Sequence, residues 1–251
     1  MKKYWSGTLP EPDVRTIADM ANVFARPPIV NPETPLYYMY RDLWRDHDDH
    51  AWLKHHHLRY DITVIPSGIF NGEFIKTKGH YHPENPAGMS YPEMYEVLSG
   101  FAYYLLQRRD HTDVVLLPAH KGNTVLIPPD YGHVAINPWN EELIMANIVS
   151  TEFVSEYSEI EKMRGAAYYY MIKEGWIANS HYGDPIPMHV MLPLSLPEIG
   201  LEEGRGLYDL VGSGDTLDIM NQPEKHMDVL GKYSTAKKCN KYIPNHDNTR
   251  K

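Results

Sequence analysis

The sequence predicts an all-β protein, an antiparallel sandwich or barrel with an N-terminal helix and an irregular C-terminal extension. Seven short runs rich in β-branched and aromatic residues indicate this class, at residues 60–66, 72–78, 93–100, 101–107, 113–118, 123–128 and 142–150. Pairs typical of turns separate several of these runs, namely Asn71-Gly72, Ser99-Gly100 and Lys121-Gly122. Many short strands at such spacing are typical of antiparallel sandwiches and barrels.

The segments around the strands divide the chain into three parts. Residues 13–25 are predicted to form a helix, because apolar residues recur at helical spacing between flanking prolines. The apolar residues are Val14, Ile17, Met20, Ala21 and Phe24, and the prolines are Pro12, Pro27 and Pro28. We expect a helical lead-in over residues 1–35, a barrel with the functional site over residues 36–160, and an extension over residues 161–251. The extension is expected to pack on the barrel or in a dimer interface, and a second short helix is expected at residues 157–164.

Composition narrows the class of protein. The chain has 251 residues, of which 42% are hydrophobic and 23% charged, as in soluble globular proteins. Its net charge of -9 argues against a broad surface for nucleic acid. No segment approaches the ~20 continuous apolar residues that span a bilayer. Cys239 is the only cysteine, which excludes an intramolecular disulfide and fits a reducing cytoplasm.

The C-terminal residues 223–251 are rich in basic side chains. These are Lys225, Lys232, Lys237, Lys238, Lys241, Arg250 and Lys251. Because the net charge of the chain is negative, we interpret this tail as a solvated or partner-wrapping arm rather than a nucleic-acid-binding one.

Four potential metal ligands lie along the predicted strands. His80 and His82 are two residues apart, so on a strand both imidazoles project from one face while Tyr81 faces away. Glu93 opens a later strand, and His133 follows a loop shaped by glycine and proline. Singly, these residues are as well explained as surface or core side chains. Together, in this order, they predict one metal site.

The types of ligand limit the metal and its role. Three neutral imidazoles and one carboxylate suit a borderline divalent ion such as Fe, Mn, Ni, Co or Zn, and leave positions open for water or substrate. An open position is typical of a catalytic metal. The neighbouring His55, His56 and His57 are interpreted as a solvated loop, because adjacent side chains on an exposed segment do not converge.

Two sequence motifs resemble those of the cupin superfamily. The first is matched by Glu93 and Gly100, and the second by Gly122, Pro128, His133 and Asn137. Phe74 stands where the first motif begins with glycine, and Asp130 replaces a glycine of the second. Aspartate tolerates left-handed backbone angles better than most residues, so the second departure is mild. The resemblance implies a jelly-roll-like cupin β-barrel.

A longer series of motifs resembles a narrower family, the cupin-type glucose-6-phosphate isomerases known chiefly from archaea and some bacteria. The residues that carry it are Thr77, Gly79, His80, His82, Glu93, Tyr95, Leu98, Gly100, Pro128, Pro129, His133 and Asn137. The resemblance implies a homodimer that interconverts glucose 6-phosphate and fructose 6-phosphate, and the single cysteine favours a cytoplasmic location. The resemblance also implies one divalent metal ion per chain, Fe²⁺ before Mn²⁺, Ni²⁺, Co²⁺ or Zn²⁺.

The same resemblance implies a role for individual residues. It places the metal on His80, His82, Glu93 and His133, the substrate phosphate on Tyr38, Thr63, Thr77, Gly79 and Tyr157, and catalysis on Glu93 and Tyr95. Hydroxyl groups and a glycine N–H can bind phosphate without a lysine patch, which agrees with an acidic protein. The family's histidine after the last barrel strand is missing here, and Ser155 is the nearest residue.

Two other functions fit the same residues. Three histidines and a glutamate also serve iron dioxygenases of the cupin superfamily. A non-catalytic protein that binds sugar phosphates would keep the polar phosphate set and would not need the metal ligands. For the isomerase, both an enediol intermediate and a hydride shift remain open.

Overall fold

The computed structural model describes Met1 and residues 3–235. The strands in this part of the chain are β1 (Asp13–Thr16), β2 (Pro35–Tyr40), β3 (Leu58–Ile65), β4 (Ile69–Phe70), β5 (Glu73–Phe74), β6 (Glu93–Ser99), β7 (Phe101–Arg108), β8 (Val114–His120), β9 (Thr124–Ile127), β10 (Tyr131–Ile136), β11 (Leu143–Ser150), β12 (Tyr168–Met171), β13 (Gly175–Ala178) and β14 (Met188–Val190). The α-helices are α1 (Ile17–Met20), α2 (His47–His55), α3 (Ser158–Lys162) and α4 (Met227–Thr235). No helix among these residues is long and apolar enough to cross a membrane.

Two sheets carry the fold. A six-stranded sheet has the order β1-β2-β3-β11-β6-β9, and a four-stranded sheet has the order β10-β7-β8-β14. One core cluster joins them, with Val97 and Met145 from the first sheet and Leu106 and Val115 from the second. The predicted all-β fold is therefore confirmed as two packed sheets, although these are not joined into one closed barrel. A smaller sheet, β13-β12-β5-β4, lies beside them.

The C-terminal region contacts the outer faces of both sheets. Ile148 of β11 packs in one cluster with Leu207 and Ile219, beyond the six-stranded sheet. Leu105 of β7 packs with Tyr170 in another cluster, beyond the four-stranded sheet. Because both faces of these strands are covered, every residue of β11 is buried. For this reason the sequences of these strands are nearly continuous apolar runs.

Most strands predicted from the sequence are confirmed. The runs at residues 60–66, 93–100, 101–107, 113–118, 123–128 and 142–150 correspond to β3, β6, β7, β8, β9 and β11. The helix expected at residues 157–164 is α3, which is shorter. Cys239 and the basic tail beyond residue 235 lie outside the described residues.

The helix predicted over residues 13–25 is wrong. Its first residues form β1, which pairs antiparallel with β2, and only Ile17–Met20 is helical. Arg41 supports the strand through an ion pair of 2.7 Å between its Nε and the carboxylate of Asp13. Strand pairing here outweighs the helical spacing of the apolar residues, and Val14 is left 41% exposed.

The strand predicted at residues 72–78 is only partly regular. β5 covers its start, and beyond β5 the chain runs beside β10 through isolated pairs, Lys76 with Ile136 and His80 with His133. Between these two pairs the register shifts by one residue, at Gly79, whose φ is +83°. This is the geometry of a β-bulge, which places one extra residue in one strand and re-aims the side chains that follow.

A buried ion pair fixes the base of this segment. Lys76 and Glu73 are 4% and 1% exposed and lie 2.5 Å apart, Nζ to Oε1. Lys76 also donates a hydrogen bond to the carbonyl of Val23, and Glu73 accepts one from the N–H of Ala25. The pair therefore holds residues 23–25 against the segment that leads to His80.

Replacing Lys76 by methionine should destabilise the fold strongly, because it leaves the Glu73 carboxylate buried and uncompensated. We expect the free energy of unfolding, measured by urea titration, to fall by roughly 3–5 kcal/mol. The double variant Lys76→Met/Glu73→Gln should recover part of this loss, and the exposed Lys121→Met should change little. An unchanged unfolding midpoint in Lys76→Met would contradict this account.

Candidate active site

Four side chains from three parts of the fold meet between the sheets. Glu93 is the first residue of β6, and His133 lies in β10 of the opposite sheet. His80 and His82 come from the irregular segment beside β10, and the intervening Tyr81 points away into the core at 1% exposure. The alternation predicted for this pair of histidines is therefore present.

The donor atoms of these four residues lie within 4.8 Å of one another. The Glu93 Oε2 atom is 3.2 Å from His133 Nε2, 3.4 Å from His82 Nε2 and 3.9 Å from His80 Nε2. The Nε2 atoms of His80 and His82 are 3.1 Å apart. Two ligands at about 2.1 Å from one ion lie roughly 3.0–3.4 Å apart in octahedral or tetrahedral geometry. The four donors therefore fit one ion.

Burial sets the protonation states that a metal requires. Desolvation opposes ionisation of Glu93, but contacts with His133 and His82 hold the pKa of its carboxyl well below the usual range. Burial also lowers the pKa of His80 and of His133, which keeps both imidazoles neutral. Glu93 Oε2 is buried and faces the Nε2 atoms of the three histidines. An ionised carboxylate that faces three imidazole nitrogens is a donor set for a cation.

Contacts behind the ligands orient them. The Nδ1 atom of His82 lies 2.8 Å from the carbonyl oxygen of Tyr91, so the ring donates there and leaves Nε2 free as a ligand. Phe153 packs against His82 with ring centres 4.4 Å apart and stacks on Tyr91. Across the site, the hydroxyl oxygen of Tyr95 is 3.0 Å from His133 Nε2. Burial raises the pKa of Tyr95 well above its usual value, so this phenol is protonated.

A cavity of about 100 Å³ is lined by three of the four candidate ligands, His80, His82 and Glu93. Its wall includes most of the residues predicted for phosphate and catalysis, namely Thr63, Thr77, Gly79, Tyr95 and Tyr157. Ser155, at the position nearest the missing family histidine, also lines it. The fold thus brings these residues to the same space as the candidate metal ligands.

Tyr38 is the exception among the predicted phosphate residues. It points to the outer face of β2 and packs against the cluster that contains Val64, its partner in β3. The cavity face of β2 carries Tyr37 and Met39 instead. Side chains alternate along a strand, so a shift of one residue separates the two faces, and the structure corrects the placement of Tyr38.

Several polar residues of the cavity were not predicted from the sequence. They are Tyr37, Arg41, Arg59, Asp61, Lys78 and Asn147. Asn147 pairs across the sheet with Asp61 on one side and Tyr95 on the other, which makes a polar row leading from the candidate metal site. A polar side chain inside a strand as apolar as β11 is a sequence feature that could have indicated it.

The histidines at positions 55–57 lie elsewhere. His57 contacts Glu152, with 2.7 Å between Nδ1 and Oε1, and both side chains are largely exposed. Within the described part of the chain, the one group of His, Cys, Asp and Glu side chains with metal-binding spacing is His80, His82, Glu93 and His133. The interpretation of these three histidines as a solvated loop is wrong in part, because His55 is the last residue of α2 and His56 stacks on Trp52.

Solved structures that resemble this chain include oxalate decarboxylases. That of Bacillus subtilis is 18% identical with a TM-score of 0.34, over 51% of this chain and 29% of that one. That of Lactobacillus farciminis, in a formate complex, is 16% identical with a TM-score of 0.36, over 48% of this chain and 30% of that one.

Sequence relatives are glucose-6-phosphate isomerases of archaea. That of Pyrococcus abyssi is 26% identical over 151 residues, which cover 59% of this chain and 74% of the relative. That of Thermococcus gammatolerans is 30% identical over 105 residues, which cover 42% of this chain and 53% of the relative. A family model described as glucose-6-phosphate isomerase matches residues 14–187, more than half of the chain. The chain therefore belongs to the glucose-6-phosphate isomerase family.

Proposed function

We propose that this protein is a metal-dependent isomerase that interconverts glucose 6-phosphate and fructose 6-phosphate. The observation that carries the proposal is the convergence of three imidazoles and one carboxylate beside a hydroxyl-lined cavity, in a chain of this family. We also propose that it acts as a homodimer, from the family resemblance, and in the cytoplasm, from its single cysteine.

The four convergent side chains would hold one divalent ion, Fe²⁺ before Mn²⁺, Ni²⁺, Co²⁺ or Zn²⁺. When bound, such an ion polarises the carbonyl and hydroxyl oxygens of the sugar at the carbons between which hydrogen moves. The donor set leaves room for these oxygens, because three imidazoles and one carboxylate do not fill an octahedral shell.

Glu93 and Tyr95 are the residues proposed to act on protons and sugar oxygens. Glu93 is ionised at neutral pH and adjoins the cavity, so it can accept or return a proton where the sugar binds. Tyr95 stays protonated and can donate a hydrogen bond to a sugar oxygen. Neither role distinguishes an enediol intermediate from a hydride shift, because both need the same polarised oxygens.

The phosphate group would lie at the other side of the cavity. Thr63, Thr77, Gly79 and Tyr157 line the cavity and supply hydroxyl groups and a backbone N–H. Thr77 is held in place because its Oγ1 atom accepts a hydrogen bond of 2.9 Å from the N–H of Ala135. A rigid hydroxyl of this kind can bind one phosphate oxygen without rearrangement.

Turnover should depend on both the sugar phosphate and the metal. We expect the purified protein, after reconstitution with Fe²⁺ or Mn²⁺, to convert fructose 6-phosphate into glucose 6-phosphate in a coupled dehydrogenase assay. A chelator should abolish the signal, and added metal should restore it. No turnover after reconstitution with each of the five candidate metals would reject the proposal.

Two further measurements separate the competing functions. Oxygen uptake that requires iron and an organic substrate would identify a dioxygenase. Binding of fructose 6-phosphate that is unaffected by the chelator, without turnover, would identify a non-catalytic sugar-phosphate-binding protein.

Replacing His133 by alanine should remove the metal and the activity, because it deletes one of four ligands at the centre of the cluster. We expect metal content, measured by mass spectrometry after dialysis, to fall from about one ion per chain to well below half. His55→Ala, which alters an exposed histidine outside the site, is the matched control and should keep both metal and activity. Full metal content in His133→Ala would overturn the ligand assignment.

Replacing Thr77 by alanine should act mainly on substrate binding. Loss of a hydrogen bond to a charged phosphate should raise KM for fructose 6-phosphate roughly tenfold or more, with a smaller effect on kcat. Thr77→Ser keeps the hydroxyl that Ala135 and the phosphate share, so its KM should stay near that of the unmodified enzyme. If KM rises as much in the serine variant as in the alanine variant, Thr77 acts through the packing of its methyl group instead.

A further inference from the structure

Cationic side chains surround the tyrosine that is proposed to contact phosphate. The guanidinium carbon of Arg15 lies 5.5 Å from the ring centre of Tyr157, and so does the Nζ atom of Lys78. Arg41 lines the same cavity as Tyr157 and Tyr37. These three side chains, Arg15, Lys78 and Arg41, are called the cationic rim below.

Two members of the cationic rim are neutralised by carboxylates. Arg41 pairs with Asp13 at 2.7 Å and with the buried Asp61 at 3.2 Å. Lys78 pairs with Glu161. The positive charge of these two side chains is therefore largely compensated within the protein.

Arg15 is the member of the rim whose charge is not paired. It forms no ion pair with any described carboxylate, and its Nε atom is buried without a hydrogen-bond partner among the described residues. Asp19 attracts it, but the Asp19 carboxylate accepts hydrogen bonds from the N–H and the hydroxyl of Thr16 instead. A buried N–H of a charged group without an acceptor is costly, so a missing acceptor is implied.

The strand register directs Arg15 toward the cavity. Arg15 of β1 lies directly opposite Tyr37 of β2, and paired residues of antiparallel strands project from the same face. Tyr37 lines the cavity and its hydroxyl accepts a hydrogen bond from the N–H of Lys78, one residue after Thr77. The guanidinium of Arg15 thus stands on the side of the sheet where the phosphate is proposed to lie.

We propose that Arg15 is the residue that recognises the charge of the substrate's phosphate group, with Tyr157 holding its guanidinium in place through their cation–π contact. This inference rests on the proposed function and adds to it a specificity-determining residue. A phosphate monoester carries about -1.5 to -2 charge at neutral pH. The planar fork of arginine binds phosphate oxygens with directed N–H donors, and a cation–π contact with an aromatic ring uses none of those donors.

The first test measures phosphate binding without turnover. Inorganic phosphate is titrated into the metal-loaded protein by calorimetry, comparing the unmodified chain with Arg15→Met and Arg15→Lys. Losing one charge-assisted contact should raise the dissociation constant for phosphate roughly ten- to one-hundredfold in Arg15→Met. Arg15→Lys keeps the charge but not the planar fork, so its dissociation constant should lie between those of the unmodified chain and Arg15→Met. Arg26→Met is the matched control, because Arg26 pairs with Glu174 on the exposed surface, and it should bind phosphate normally.

The second test separates recognition from damage to the fold. Arg15→Met should keep its metal content and kcat, while KM for fructose 6-phosphate rises by a similar factor. If the unmodified protein turns over and Arg15→Met keeps the same KM and phosphate affinity, the inference about Arg15 is wrong and the isomerase stands. If the unmodified protein binds phosphate through Arg15 but shows no turnover, the inference stands and the isomerase is rejected.

Discussion

The candidate active site depends on one irregular backbone pairing, between the segment that carries His80 and the strand that carries His133. His133 donates its N–H to the carbonyl of His80 at 3.1 Å. Three residues before His80, Thr77 donates its N–H to the carbonyl of Ala135, in a register that differs by one residue. Gly79 absorbs the extra residue with its positive φ, and a Cβ there would lie 2.7 Å from a methyl group of Val134. Glycine therefore lets the two strands stay close while the register shifts, which turns His80 toward the other ligands.

The sequence could predict which four side chains converge at the candidate metal site, because their geometry follows from short-range rules. Alternation along an extended segment brings His80 and His82 to one side, and Asp130 adopts the left-handed backbone, φ +67°, that its motif position requires. The same alternation explains the error at Tyr38, since a difference of one residue decides which face of β2 a side chain occupies. No local pattern fixes that register. It is set by pairing with β3, which is distant in sequence.

Long-range contacts also explain why the structures of other segments could not be predicted from the sequence. Residues 13–16 carry a helical pattern but complete the edge of the six-stranded sheet, where β2 supplies their hydrogen bonds. The region after residue 160 lacks a regular pattern, yet its apolar side chains cover the outer faces of both sheets. Propensity and periodicity describe a segment alone, whereas these segments take their structure from the surfaces they cover. For the same reason the charged cavity residues Arg59 and Asp61 could be assigned only once their neighbours were known.

The proposed binding of an anionic sugar phosphate does not conflict with the negative net charge of the protein, because net charge and local field act over different distances. Exposed charges are screened over about 8–10 Å at physiological ionic strength, so most of the net charge of -9 does not reach the cavity. Inside it, the charges of Arg41 and Arg59 are offset by Asp13 and Asp61, and that of Lys78 by Glu161. Arg15 remains, in partly buried surroundings where screening is weak. One unpaired guanidinium of this kind outweighs many distant carboxylates, so a local cation supplies the attraction that hydroxyl groups alone would have to provide.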